Sequence, residues 1–429
     1  MKLLVVSSLY PNAVQPHHGI FVENRLRHLL AESGYDARVI APVPWFPATH
    51  PAFGRYAELA RVPRRETRHG LAVAHPRYAV IPKVGMSLAP WALYGALRRA
   101  YRDLRRQGYT PDLIDAHYFY PDGVAAALLA RETGLPLVVT GRGTDLNLIP
   151  RHPLARRMIR WTAAQASGLV TVCAALREDL ARLGVAAERV TVLRNGVDLD
   201  AFRRDPAAAA AWRAQVPDDG PILASVGHLI PLKGHDLVLR ALARLGRGGL
   251  IVAGSGPEAP ALRRLAETLG VAGRVHFAGA VPHDALPGLY SAADALVLAS
   301  SREGWPNVLL ESLACGTPVV ATAVNGTPEV VRDPVAGRVV AERTPAALVA
   351  AVQAVSANPP DPAAVRRYAE GFSWQATSCG QMALFEAILE SRGRTGRAAA
   401  DQNRMLPVSV TAFSVNSSDS RVESRREKA

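Results

Sequence analysis

Residues 296–322 read LVLASSREGWPNVLLESLACGTPVVAT, a stretch that parses as strand, loop, helix and strand. Residues 296–299 and 318–321 are short, apolar and rich in Val, as strands buried on both faces of a parallel sheet are. Pro306 suits the first helical position, where its missing N–H costs nothing and its φ is already helical. Gly316 suits the left-handed position just past the helix end. In open α/β sheets ligands bind outside the carboxyl ends of the strands, so the loop 300–305, which carries Glu303, is expected to face a cleft. Glu311, about one and a half turns into the helix, reaches toward the same cleft. The N–H groups of Asn307, Val308 and Leu309 are expected to point there unpaired, an anion site worth roughly 0.3–2 kcal/mol from the helix dipole. Two carboxylates beside a cluster of amide donors suit a ligand with both hydroxyls and phosphate. A solvated glutamate is the ordinary alternative. Glu311 argues against it, because its neighbours Leu309, Leu310, Leu313 and Ala314 are apolar and a carboxylate among them needs a partner.

The same alternation extends outward in both directions. Strand-like runs recur at 222–226, 250–253, 274–277, 295–298 and 319–321, and earlier at 3–6, 37–41, 113–116, 137–140, 169–172 and 190–193, with helical patterns between them. That order means βαβ units and an α/β fold with parallel sheets. At 429 residues the chain is too long for one ordinary core, and its 49% apolar content supports two. The turn and Pro-bounded stretch opening with RNGVDLDAF at 194–202 places the boundary: a first domain over 1–195 and a second over 196–365. A helical segment over 366–391 follows, and a polar tail without periodicity, 392–429, is expected to be disordered.

Composition removes several classes. The three cysteines are odd in number, widely spaced and without CxxC pairing, so neither a disulfide framework nor a zinc site is signalled. A reducing cytoplasm fits. The opening MKLLVVSSLYP is too short in its apolar part for a signal peptide and reads as the first strand, and no run of about 18 apolar residues crosses a membrane. The formal charge of +13 suits nucleic acid, an anionic bilayer surface or phosphorylated substrates. Without a recognition-helix, RNA-binding or zinc-finger signature, nucleic acid is set aside. Residues 42–90 form an irregular, Pro-, Trp- and Arg-rich connection. There Trp45, Phe46 and Trp91 near Arg61, Arg64, Arg65 and Arg68 make either a surface for lipid headgroups or acceptor, or ordinary packing.

Further candidate residues lie at strand ends. Gly19 closes the loop after the first strand, as a turn or as a close approach to ligand. His117 follows the strand at 113–116, and Asp145 follows TGRGT after the next strand; each is either a structural hydrogen-bonder or part of a site at one shared edge. Asp198 and Asp200 form a DxD that reads as a turn after Asn-Gly. Lys233, in GHLIPLKG at 227–234, is either a phosphate contact or a surface lysine. GSGPEA at 254–259 imitates a dinucleotide fingerprint, but HFAG stands where the acidic residue belongs, and NAD is discounted.

Together these motifs resemble the family-4 retaining glycosyltransferases of GT-B architecture, over about residues 1–390. The mark is the pair of glutamates with GWPNVLL between them, Glu303 and Glu311, followed by CGTPVVAT and by GTPEVV at 326–331; GHLIPLKG, GSGP, RNGVD and GTD agree. The resemblance implies two Rossmann-like domains facing across a cleft, with the last helix crossing back to the first. It implies a nucleotide-sugar donor held by the second domain, with Glu311 on the ribose hydroxyls, Glu303 on a sugar hydroxyl and Lys233 on the diphosphate. The loop Gly304, Trp305, Pro306, Asn307 and Val308 would meet sugar and phosphate, and His228, Gly254, Gly256 and Val281 would line the donor. Gly19 would line the diphosphate from the first domain, with His117 and Asp145 near the reacting carbon and the acceptor. Many members carry Arg in the place of His228, so charge stabilisation here would lean on Lys233, helix amides or another Arg. No metal or cofactor is implied. The acceptor would be a cell-envelope polysaccharide or lipid-linked glycan, met in the cytoplasm or at the inner membrane face. The alternatives are a nucleotide-sugar epimerase on the same architecture and a non-catalytic sugar binder.

Overall fold

In the computed structural model of this protein, residues 1–45, 50, 54–79, 87–217 and 219–404 are described, apart from the side chains of 55, 56 and 394–404. Ten of the described strands precede residue 193: β1 (Lys2–Val6), β2 (Asp36–Ile40), β3 (Val43–Trp45), β4 (Arg65–Arg68), β5 (Leu71–Ala74), β6 (Arg77–Ala79), β7 (Leu113–His117), β8 (Leu137–Gly141), β9 (Gly168–Thr171) and β10 (Val190–Val192). Eight of them form one sheet in the order β10-β9-β8-β7-β1-β2-β5-β4, parallel except for β4, while β3 and β6 pair separately. A second sheet holds β11 (Ile222–Val226), β12 (Gly249–Ala253), β13 (Val275–Gly279), β14 (Ala295–Leu298), β15 (Val319–Thr322) and β16 (Gly337–Val340), in the order β13-β12-β11-β14-β15-β16, all parallel. Helices cover both faces, so β7, β8, β11 and β12 are buried at every residue, which is why they are built mostly of apolar residues, with Asp115 and His117 in β7 as buried exceptions. In β1, Leu3, Leu4, Val5 and Val6 are wholly buried. Each such side chain contributes about 1.5–3 kcal/mol, against about 1–2 kcal/mol for ordering its backbone.

Strand order reverses once in each sheet, between β7 and β1 and between β11 and β14. These are the two switch points at which such sheets bind ligands. The chain passes between the sheets at 195–197 and again at 371–374, and the passages are joined by the Val197 N–H donating to the Phe372 carbonyl at 2.9 Å.

Three expectations need correction. The region 42–90 is not a structureless connection: it holds β3 to β6 and a helix, Arg55–Ala60. The β4–β5 hairpin turns on His69-Gly70, both at positive φ (47° and 79°), the two-residue primed turn that matches strand twist. Its strands are three or four residues long, too short for alternation to announce them. Phe46 lies outside the described residues. The strand β16 is additional to the expected ones, its GRVV sequence carrying a charge that masks the apolar pattern. The last helix, Trp374–Arg404, continues past 391 into the segment expected to be disordered. Residues 387–429 form a unit apart from 1–386; its described part, 387–404, is helical, and 405–429 lie outside the described residues.

Candidate active site

The helix announced by the 296–322 stretch runs Asn307–Ala314, one residue later than expected: Pro306 is its N-cap (φ −81°, ψ 82°) and Gly316 is left-handed at φ 79°. The amide array is smaller than expected, because Asn307 N–H donates to the Trp305 carbonyl and Leu309 N–H to the Pro306 carbonyl, each at 3.0 Å. The prolyl carbonyl folds back over the first turn and takes one of the donors.

At the β11/β14 switch point two separately expected residues meet. Lys233 Nζ donates to Glu303 Oε1 at 2.6 Å, and Ser300 Oγ donates to the same oxygen at 2.6 Å. The Glu303 N–H is held by Asn325 Oδ1 at 3.1 Å. Asn325 itself sits at positive φ, a conformation Asn tolerates better than most residues. Glu311 has the partner its apolar setting demanded: Tyr290 OH donates to Oε2 at 2.8 Å, and His283 Nε2 lies 3.8 Å from Oε1. The bond to Glu311 raises the His283 value, and burial together with Glu311 raises that of Tyr290. Glu311 opens into a cavity of about 30 Å³ shared with Phe21 and Asn24 of the helix Ile20–Ser33. That is about one water's share, so a ribose reaches Glu311 only as these walls part.

The first-sheet switch point is built differently. Arg142 donates from Nη2 to His117 Nδ1 at 2.7 Å and from Nη1 to Asn195 Oδ1 at 3.1 Å. A guanidinium accepts nothing, so Nδ1 is the unprotonated nitrogen, and the His117 proton sits on Nε2, 3.5 Å from Asp115 Oδ2. Burial, Arg142 and Arg25 hold His117 well below the ordinary imidazole range. Asp115 accepts from Gln381 Nε2 at 3.0 Å, and Gln381 Oε1 accepts from Arg25 Nε at 2.9 Å. Burial pushes Asp115 up to about 6 against the pull of both arginines. Arg142 Nε and Arg25 Nη2 are buried without hydrogen-bond partners. Asp145 does not face outward. Its carboxylate accepts the N–H groups of Phe119 (2.8 Å), Gly143 (2.8 Å) and Arg142 (3.1 Å), which fixes the TGRGTD loop. In the adjoining loop Asp122 clamps Ser8 through its N–H (2.5 Å) and Oγ (2.8 Å).

The two switch points touch through Gly304. A Cβ there would overlap the Arg142 carbonyl oxygen and stand 3.1 Å from the Gly143 Cα. Around it, Asn147 Nδ2 donates to the Glu303 carbonyl (3.1 Å), Asn195 Nδ2 to Asn307 Oδ1 (3.2 Å), and Arg194 Nε to Glu329 Oε2 (2.9 Å). Trp305 is buried under the Arg194 guanidinium, its Nε1 without a partner. The remaining expected residues are dispersed. Gly19, at φ 70°, packs on the Leu9 carbonyl, a contact no other residue tolerates. Gly254 and Gly256 lie on the Gly227 and Leu229 carbonyls and shape the β11 loop. His228 is exposed on that loop, Val281 is half-buried against the core, and Val308 is half-buried in the first helical turn. In the DxD, Asp198 Oδ1 accepts from the Asp200 and Ala201 N–H groups, as a turn does.

Sequence reasoning missed Arg25, Asp115, Arg142, Asn195 and Gln381. One signal was present: Arg25 occupies the apolar stripe of Val22, Leu26 and Leu29, where a charge is out of place.

Residues 21–201 match the family model described as Glycosyltransferase Family 4, and residues 209–372 the model described as Glycosyl transferases group 1. A D-inositol 3-phosphate glycosyltransferase of Geodermatophilus obscurus is 35% identical over 320 residues, 69% of this chain and 71% of the relative. The chain belongs to the family-4 glycosyltransferases. A putative teichuronic acid biosynthesis glycosyltransferase, TuaC of Bacillus subtilis, is 28% identical over 331 residues, covering 76% of this chain and 82% of the relative. Among solved structures, sucrose-phosphate synthase of Thermosynechococcus elongatus aligns with a TM-score of 0.74 at 21% identity, covering 91% of this chain and all of that one. Anabaena HepE, solved in complex with UDP, aligns at 0.67 and 21% identity, covering 90% and 100%. The two sheets are accordingly the paired Rossmann-like domains of a GT-B glycosyltransferase. No described helix of this glycosyltransferase is long and apolar enough to cross a membrane.

Proposed function

We propose that this glycosyltransferase moves a sugar, with retention of configuration, from a nucleotide-sugar donor to a cell-envelope polysaccharide or lipid-linked glycan, without a metal or other cofactor. The observation that carries the reading is the Lys233–Glu303 contact at the switch point of the second sheet, with Glu311 held by Tyr290 along the same helix. The fold neighbour HepE, solved in complex with UDP and with UDP-glucose, supports the donor class, and the similar TuaC, a putative teichuronic acid biosynthesis glycosyltransferase, supports an envelope acceptor.

Lys233 is paired with Glu303. A bound donor would divide the pair: the ammonium turns to the diphosphate and the carboxylate accepts a sugar hydroxyl. Glu311, oriented by Tyr290, accepts the ribose hydroxyls. As the bond to the leaving diphosphate breaks, negative charge grows on its oxygen, and fixed cations in a water-poor gap stabilise that charge. Lys233 is one; the buried guanidinium of Arg142 across the gap supplies the second, where His228 replaces the family's more usual arginine. The leaving oxygen takes the acceptor's proton at the same face, so Glu303 positions the sugar and makes no covalent bond to it. His117, neutral and fixed by Arg142, positions the reacting carbon, and Asp145 maintains the loop that carries Arg142. Work at the inner face of the cytoplasmic membrane, aided by the chain's positive charge, completes the reading.

Purified protein should release nucleoside diphosphate from one member of a nucleotide-sugar panel and transfer the sugar to acceptor. Lys233→Ala should lower kcat/KM by about 10²–10³-fold, the usual loss when one charge-stabilising donor is removed. Glu311→Ala should lower kcat/KM mainly by raising KM for the donor, because the lost interaction is with the ribose. Full activity in both variants rejects the reading, and interconversion of the donor without acceptor selects the epimerase.

A further inference from the structure

On the flank of the first sheet, away from Lys233, Glu303 and Glu311, a cavity of about 620 Å³ lies between β2, the β4–β5 edge and the C-terminal half of the helix Ala89–Arg106. Arg38, Arg64, Arg65, Arg77 and Arg99 line it together with two carboxylates. Neither carboxylate balances the charge. Glu66 is bonded to His75 Nε2 at 2.7 Å, and Asp103 to Arg106 at 3.1 Å. Arg38 has Asp36 at 2.8 Å. Among the described residues, Arg64, Arg65, Arg77 and Arg99 have no carboxylate in ion-pairing range.

Arg77 is the informative member. Its Nη2 donates to the Val62 carbonyl, while Nη1 is buried with no acceptor at all. Arg99 reaches only the Arg77 carbonyl, at 3.5 Å. Burial and the neighbouring Arg64 charge both act against the Arg77 cation. Two like charges gathered at a half-buried spot, one with an unused donor, cost free energy until an anion arrives. Guanidinium forks match phosphate oxygens in pairs, and a basic cavity of this size, whose two carboxylates are engaged by His75 and Arg106, leaves room for such an anion. The floor is apolar, from Val39, Val73 and Leu104.

We propose that this cavity is a second anion site, taking a phosphate group on a partly apolar body, held by Arg64, Arg65, Arg77 and Arg99. The phosphate belongs either to a soluble ligand or to a bilayer phospholipid, and two measurements on the full chain separate the sources. The first is calorimetric titration with phenyl phosphate. The second is co-sedimentation with phosphatidylglycerol vesicles, with phosphatidylcholine vesicles as control. Arg64→Gln/Arg99→Gln changes two exposed residues and leaves the core intact; Arg77→Gln removes the buried donor. A tenfold or greater weakening of phenyl phosphate binding in the double variant, with Lys233→Ala unaffected, supports a soluble phosphate. Loss of sedimentation with the anionic vesicles alone in the double variant supports a lipid headgroup. Equal binding by wild type and both variants in both measurements overturns the proposal, and so does phenyl phosphate binding that Lys233→Ala alone abolishes.

Discussion

The two switch points of this glycosyltransferase solve opposite electrostatic problems. The second-sheet site gathers carboxylates, Glu303 and Glu311, and meets them with a half-buried lysine, a buried serine, a buried tyrosine and a nearby half-buried histidine. The first-sheet site gathers guanidinium groups, Arg25 and Arg142, out of solvent around the Asp115 carboxylate and a neutral imidazole. One side is built to receive hydroxyls, the other to present positive charge. The difference teaches where each gets its order. The acidic side is ordered mostly within one stretch, a loop, the helix after it and residues about twenty positions away, with Lys233 brought in from 70 positions upstream. The basic side is ordered by residues as far apart as Arg25 and Gln381, 356 positions along the sequence.

The sharpest way to break this contrast is to remove one buried cation. In Arg25→Met, Asp115 loses the guanidinium that reaches it through Gln381, and the Leu193 carbonyl loses its donor at 3.0 Å. A buried charge stripped of its partner costs about 3–5 kcal/mol, so the midpoint of urea unfolding should fall accordingly. A cost under about 1 kcal/mol would mean Asp115 simply takes up a proton, as its raised value permits. Arg142 meets no carboxylate directly, so Arg142→Met should destabilise less while still depressing turnover.

The contact between the sites gives the next largest effect. A methyl at Gly304 would occupy the Arg142 carbonyl position, and the Cys173 Sγ at 3.4 Å from the Gly304 carbonyl leaves no slack behind it. In Gly304→Ala the two sides must stand apart by about an ångström. Misplacement on that scale costs on the order of 10²-fold in kcat, and urea unfolding should change little, because neither sheet is touched. Wild-type turnover in this variant would show that catalysis does not need Gly304 against the Arg142 loop.

How much of this could be read from the chain follows the same division. The helix at 307, its glycine stop and the demand of Glu311 for a partner were legible because propensity, periodicity and an apolar neighbourhood act within a few residues. Lys233 and Glu303 were each legible as strand-end residues, though their pairing was not, since it depends on β11 and β14 lying side by side. The cationic cluster was hidden for a stronger reason. Asp115 sits in a strand, Gln381 in the last helix and Asn195 in the linker, and only the fold makes them neighbours. Asp145 illustrates the hazard of reading by edge: it sits where a site residue belongs, yet three backbone N–H groups consume its carboxylate. The Pro306 shift has a smaller cause, one residue of backbone that periodicity cannot see.

The smallest effect tests whether the acidic side keeps its histidine charged. His283 lies 3.8 Å from Glu311, and that contact raises its value above the ordinary 6.5. A group bound more tightly as the cation in the fold contributes stability that is fully present below the unfolded value and is lost as pH rises through the folded one. The window therefore opens at about pH 6.5 and runs upward. His117 behaves in the opposite sense: held neutral by burial, it withdraws stability only as pH falls below that point. Asp115, pushed up to about 6, and Asp122, pushed up to about 7, also titrate nearby, so the wild-type curve alone is ambiguous. Subtracting the curve for His283→Gln removes all three. The difference should favour wild type by about 0.2–1 kcal/mol at low pH, as partly exposed pairs do, and shrink toward zero at high pH. A difference that stays level across that range would mean His283 is neutral beside Glu311, and that Tyr290 alone orients the carboxylate.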